Sequence, residues 1–134
     1  MTRVAVLMEI VAMDELRPHL GEQAGKSFTD AELHYASGFR DPLPSLAARL
    51  CAKRAWQRWA STAGLRVPGL RQVEVVASPF GPPRLVLGGD ALAGVPPGVV
   101  EGIHVSLSHC WGYAGALVTV TADGDLGRSC DEWS

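Results

Sequence analysis

Residues 45 to 63 read Ser45-Leu46-Ala47-Ala48-Arg49-Leu50-Cys51-Ala52-Lys53-Arg54-Ala55-Trp56-Gln57-Arg58-Trp59-Ala60-Ser61-Thr62-Ala63. This stretch has the strongest helical period in the chain. At 100° per residue, Leu46, Ala47, Leu50 and Cys51 share one arc, which Ala55 and Trp59 extend. Ser45, behind Pro44, is placed to cap the helix, and Gly64 is placed to stop it. Arg54 lands inside the apolar arc, with Arg58 one turn further on the same side. A charge inside such a stripe is costly unless it is paired, faces a ligand or snorkels at the stripe's edge.

Around this helix the chain alternates between strand and turn. Residues 3 to 13 are mostly apolar, with Val and Ile, and read as a buried strand. Asp14 is placed to cap a short helix over residues 15 to 20. Thr29 and Glu32 have the spacing of a capping box at the start of a second helix. Residues 72 to 77 alternate as a strand, the Pro- and Gly-containing segment 78 to 83 is a turn, and residues 84 to 87 return as a hairpin partner. Residues 88 to 102 are rich in Gly and Pro and have room for one helical turn at most. Two further strands cover 104 to 109 and 114 to 121, joined through Cys110-Trp111-Gly112-Tyr113. In the first of them Val105 and Leu107 face one way, and His104, Ser106 and Ser108 the other. Residues 1 to 121 form a single domain, followed by a polar tail over 122 to 134.

The composition excludes several classes. With 134 residues, 47% apolar and 19% charged, the chain is neither disordered nor short of a core. No apolar run approaches the ~20 residues of a membrane span, and a cytoplasmic location is expected. Three cysteines at scattered positions, Cys51, Cys110 and Cys130, form neither a disulfide framework nor a zinc-type spacing. Residues 42 to 73 hold Arg49, Lys53, Arg54, Arg58, Arg66 and Arg71 with no Asp or Glu, against a net charge of -2 for the whole chain. Such a block marks an anionic partner. An isoelectric point near 6.0 argues against nucleic acid and for a phosphate-bearing small molecule or an acidic protein.

Five segments carry a family resemblance. Residues 45 to 59 resemble the R-F-A-A-K-E-A helix of the holo-acyl-carrier-protein synthases, the short 4'-phosphopantetheinyl transferases. Residues 104 to 116, His104-Val105-Ser106-Leu107-Ser108-His109 followed by Tyr113-Ala114-Gly115-Ala116, resemble their H-V-S-x-S/T-H-x-x-x-Y-A-x-A block. Residues 28 to 33 resemble their F-T-x-x-E-L segment, and residues 7 to 13 stand where that family has G-x-D-x-V-E. Phe80 to Leu85 stands where it has an N-G-K-P hairpin. The resemblance implies an α+β fold, an antiparallel sheet packed on a long helix, assembled as a homotrimer with coenzyme A at each subunit interface. A helix apolar almost all round would gain its burial from such a trimer. The implied activity is transfer of phosphopantetheine from coenzyme A to a serine of an acyl carrier protein.

In that family a magnesium ion bridges the diphosphate between the first-block Asp and the helix Glu, as a hard cation among phosphate oxygens requires. Those two positions are Glu9 and Arg54 here. Leu7, Glu15 and Pro82 depart as well, at positions that hold Gly, Arg and Lys in the family. Arg49, Lys53, His104, Ser106, His109 and Tyr113 are retained, and Arg58 keeps a Lys charge. The resemblance therefore gives Glu9, Arg54, His104 and His109 as catalytic candidates and Arg49, Lys53, Arg58 and Ser106 as coenzyme A ligands, with no metal ligand set. Arg54 is expected either to pair with Glu9 or to fork onto a diphosphate. Arg49 and Lys53, one turn apart with no acid in their segment, are expected as an exposed basic row. Three functions fit: phosphopantetheine transfer without the usual magnesium, an enzyme repurposed for a carrier-tethered, polyketide-type intermediate, or a non-catalytic binder of carrier protein or coenzyme A. Trp56, Trp59 and Trp111 belong either to the core or to a pocket.

Overall fold

The long helix takes the centre of the molecule because the three-stranded sheet buries its inner apolar face on it. The structure, a computed structural model, describes residues 2–17, 20–21 and 24–123. In chain order the elements are β1 (Thr2–Ala12), α1 (Met13–Leu16), α2 (Ala24–Ser27), α3 (Asp30–Ser37), α4 (Leu43–Thr62), β2 (Val73–Val76), β3 (Arg84–Leu87), α5 (Asp90–Ala93), α6 (Pro97–Glu101), β4 (Ile103–Cys110) and β5 (Tyr113–Asp123). A three-stranded antiparallel sheet has the order β1-β5-β4, and β2 and β3 form a separate hairpin. The expected α+β architecture of an antiparallel sheet on a long helix is present.

Helix α4 starts at Leu43, two residues before Ser45. Asp41 Oδ1 accepts from the Leu43 N–H at 3.0 Å, so Ser45 is not the cap. At its far end Gly64 takes φ +76°, Gly64 N–H donates to the Ser61 carbonyl, and Leu65 N–H donates to the Ala60 carbonyl. This is the Schellman arrangement that a glycine with left-handed backbone permits. Trp56 and Trp59, with ring centroids 4.8 Å apart, anchor one core with Leu7, Val105, Val118 and Val120. Phe28, Leu43, Leu46 and Leu50 anchor a second core toward the start of α4. Both helix tryptophans are therefore core residues.

Several sequence expectations are corrected here. Helix α1 starts at Met13 with no side-chain cap, so Asp14 is not its N-cap. Residues 88–102 hold two short helices, α5 and α6, where one turn was expected. The second strand is shorter than 72 to 77, since residues 70–72 form a 3-10 turn. Strands β4 and β5 are longer than expected and meet at a two-residue turn, Trp111-Gly112. Both turn residues have positive φ (55° and 81°), as the hairpin turns that match strand twist require. Trp111 is 93% exposed there and does not belong to the core. Residues 122 and 123 belong to β5, and the remainder of the expected tail lies outside the described residues. The capping box at Thr29 and Glu32 is present in both directions.

The largest correction concerns β1. Its period-2 alternation puts Ala5, Leu7, Glu9 and Val11 toward α4, and Val4, Val6, Met8 and Ile10 on the opposite face. These four apolar side chains are 60 to 62% exposed, and Leu117 of β5 lies opposite Met8 on the same face. Helix α4, by contrast, is buried within a single chain along most of its length. The unpartnered apolar surface therefore lies on the sheet, where one face of every strand is left outside. Among the described residues no helix is long and apolar enough to cross a membrane.

Candidate functional site

Helix α4 carries two clusters of polar groups on opposite sides. Arg49 and Arg58 are nine residues apart, which is two and a half turns and about 13 Å of rise. Arg58 faces β1, and Arg49 faces α3 and β4.

On the β1 side, Arg58 donates from one guanidinium nitrogen to Glu9 Oε1 at 2.6 Å and from the other to the Met8 carbonyl at 3.3 Å. Of the two outcomes expected for Arg54, the bridge to Glu9 is not formed, and Glu9 is bridged to Arg58 instead. Arg54 is exposed where the helix stripe passes the edge strand, and it has no hydrogen bond or ion pair among the described residues. Cys51 lies beneath this cluster, its thiol 3.6 Å from the Ala114 carbonyl. Burial pushes the thiol up to about 11, against the opposing field of Arg54, while Glu9 adds to the rise.

On the other side, Lys53 departs from the expected exposed row. Its side chain is fully buried, with Nζ donating to Glu32 Oε1 at 2.5 Å and to the Leu70 carbonyl at 2.9 Å. Glu32 also accepts from Thr29 N–H and, through Oε2, from Val75 N–H at 3.0 Å. Burial lowers the Lys53 ammonium's pKa, opposed by its bond to Glu32. Lys53 is therefore a tie between α3, α4 and β2, with no N–H in position for a phosphate. The acid that neutralises it comes from outside the basic segment.

Arg49 remains available. It is only 5% exposed, yet among the described residues its Nε has no hydrogen-bond partner. Its NH1 donates to the Ser45 hydroxyl at 2.7 Å, and its guanidinium stacks 4.5 Å above the Tyr35 ring. Two cavities meet at this group. One, of about 270 Å³, is bounded by Tyr35, Asp41, Ser45 and His109. The other, of about 470 Å³, is bounded by Ser78, Pro82 and Ser106. A third, of about 720 Å³, continues along the free edge of β4 past His104, Arg84 and Leu92. On the outer sheet face an apolar cavity of about 300 Å³ joins Met8 and Ile10 to Ser106, His109 and Tyr113.

The structure thus brings together Glu9, Arg54 and Arg58 in one cluster and Arg49, Ser106 and His109 in another, with His104 further along β4. Sequence reasoning missed Tyr35, Ser45 and Asp41 beside Arg49, and Glu32 beneath Lys53. Glu32 carried two signals, its capping-box spacing and its place in the F-T-x-x-E-L segment, and neither points to a buried pair. Among the described residues no group of three or more His, Cys, Asp or Glu gathers to hold a metal ion. The two positions that the resemblance gives to magnesium carry a carboxylate already bonded to Arg58 and a guanidinium. This donor set does not fit a divalent cation.

No family model matches the chain. Curated relatives do. A holo-acyl-carrier-protein synthase of Deinococcus radiodurans is 35% identical over 114 residues, 84% of this chain and 86% of that protein. One from Streptomyces griseus is 38% identical over 118 residues, 86% of this chain and 90% of its own length. Among solved structures, an ACPS–CoA complex of Chronobacterium ammoniagenes superposes with a TM-score of 0.78 at 21% identity, covering 90% of this chain and 98% of that one.

Proposed function

Since the chain belongs to the holo-acyl-carrier-protein synthase family, we propose that it binds coenzyme A and transfers its phosphopantetheine arm to a serine of an acyl carrier protein. The observation that carries this reading is Arg49. A buried guanidinium with an unpartnered N–H is costly unless an anion completes it. A phosphate group fits the planar fork, and Arg49 borders the cavities on either side of it.

In the reaction the serine oxygen bonds to the phosphorus nearer the pantetheine arm. The bond from that phosphorus to the bridging oxygen breaks, and adenosine 3',5'-bisphosphate leaves with the electron pair. The serine proton passes to a base at the site, for which His109 is placed, with His104 further along the same strand. We place these groups in a homotrimer. The apolar outer face of β1 and β5 is the surface that would be buried between copies, and it supports this assembly more directly than α4 does. Within one chain the two clusters are on opposite sides of α4. A shared site would therefore join Glu9, Arg54 and Arg58 of one copy to Arg49, Ser106 and His109 of the next. A cytoplasmic location accords with coenzyme A and a carrier protein as the substrates.

A second reading is favoured by the pairing of Glu9 with Arg58, which ties up a base. In it the same cleft holds coenzyme A, a carrier protein or a carrier-tethered, polyketide-type acyl chain without phosphopantetheine transfer. The apolar cavity at Met8, Ile10 and Tyr113 would take the chain. Calorimetric titration with coenzyme A tests the main reading. The parent protein is expected to bind, and Arg49→Ala is expected to bind about tenfold more weakly or worse, the loss of at least one charge-assisted hydrogen bond. Absence of binding in the parent protein would refute it.

A further inference from the structure

Resting on the coenzyme A reading above, we infer that this site grips the diphosphate with guanidinium groups and excludes a divalent cation. The argument is one of charge. The pattern that the chain resembles has two carboxylates and one ammonium, and a bound dication brings that set to a single positive charge. Here Glu9, Arg54 and Arg58 reach the same single positive charge with no ion. Arg58 holds Glu9 Oε1 at 2.6 Å and so competes with a cation for the remaining carboxylate. Arg54 has all its N–H groups unengaged among the described residues and lies one turn from Arg58 on the same side of α4. A dication entering beside Glu9 would meet two guanidinium charges, and their Coulomb repulsion opposes it. A diphosphate entering the same place meets two forks, each able to bind a pair of phosphate oxygens. Glu9 then acts as a positioning residue, since its carboxylate fixes Arg58 against β1.

The ion can be tested apart from coenzyme A. Manganese alone, followed by its paramagnetic signal, is expected to show no bound ion on the parent protein, and Arg54→Glu is expected to gain one per chain. Manganese bound by the parent protein and lost in Glu9→Gln would overturn the inference. Failure of a folded Arg54→Glu protein to gain the ion would overturn Arg54's part in excluding it. If Arg54→Glu does not fold, Arg54→Gln replaces it, with weaker gain expected. In a second arm coenzyme A is titrated in EDTA and in magnesium. Affinities within about twofold support the inference, and a loss of tenfold or more in EDTA would overturn it. Absence of coenzyme A binding in both buffers would refute the function proposed above and the diphosphate assignment with it, whatever the manganese result.

Discussion

Glu32 and Lys53 meet as a fully buried ion pair, 2.5 Å apart, with neither side chain exposed to solvent. Both groups have further partners. The carboxylate also takes the backbone N–H groups of Thr29 and Val75, and the ammonium takes the Leu70 carbonyl. Four parts of the chain are tied at one point, beneath the face of α4 that carries Arg49. A pair of this kind fixes geometry more than it adds net stability, but losing one partner leaves a buried charge uncompensated.

Lys53→Ala is therefore expected to destabilise the protein by about 3–5 kcal/mol, read by urea denaturation. Glu32→Gln should act in the same direction, and the paired replacement Glu32→Leu with Lys53→Met should cost less than the two single changes together. A loss below about 1 kcal/mol for Lys53→Ala, the size typical of an exposed charge, would contradict the buried pair.

The sheet face makes a separate prediction. Light scattering should give three times the 14.2 kDa of one chain. Val6→Asp with Met8→Asp should shift the mass toward a single chain, because each places a charge where an apolar interface is proposed. Mixing inactive Arg49→Ala and Arg58→Ala proteins should restore transfer, since random assortment leaves about a quarter of shared sites with both halves intact. No recovery from subunits shown to have exchanged would contradict a site shared between copies.

Cys51 sets an alkaline limit. Its thiol is raised from the ordinary 9.0 to about 11 by burial. A raised folded-state value favours the protonated form, so its contribution is complete below pH 9.0 and is lost as pH rises from there through about 11. The stability of the parent protein should therefore fall more steeply over that window than that of Cys51→Ala, as measured by denaturation at stepped pH. Parallel curves would contradict the assignment.

Much of the fold was legible in particular residues. The apolar spacing of Leu46, Leu50 and Trp59 gave α4, the Thr29–Glu32 spacing gave the start of α3, and the alternation around Val105 gave the faces of β4. The resemblance pointed to the family. Local pattern cannot show where charges go in three dimensions. Lys53 looked free because its acid lies 21 residues away on another helix. Glu9 was matched with Arg54 by its place in a pattern, whereas the chain's path brings Arg58 to it. The strand 3 to 13 read as buried because the outer residues of β1 are as apolar as the inner ones, and sequence alone does not say that the outer face lacks a cover within one chain. The pocket at Arg49 draws Tyr35, Ser45 and Ser106 from three elements, a convergence that no local window contains.

The central claim is that this chain moves phosphopantetheine from coenzyme A to a carrier serine, and that it does so with Arg54 where a metal would be expected. Mass spectrometry of apo-carrier proteins incubated with the chain and coenzyme A in EDTA tests it most directly. A gain of about 340 Da on the carrier, one phosphopantetheine group, is the predicted result. The gain should be lost in Arg49→Ala. An unchanged carrier mass in EDTA that rises only when magnesium is restored, or that rises in neither buffer, would contradict the account.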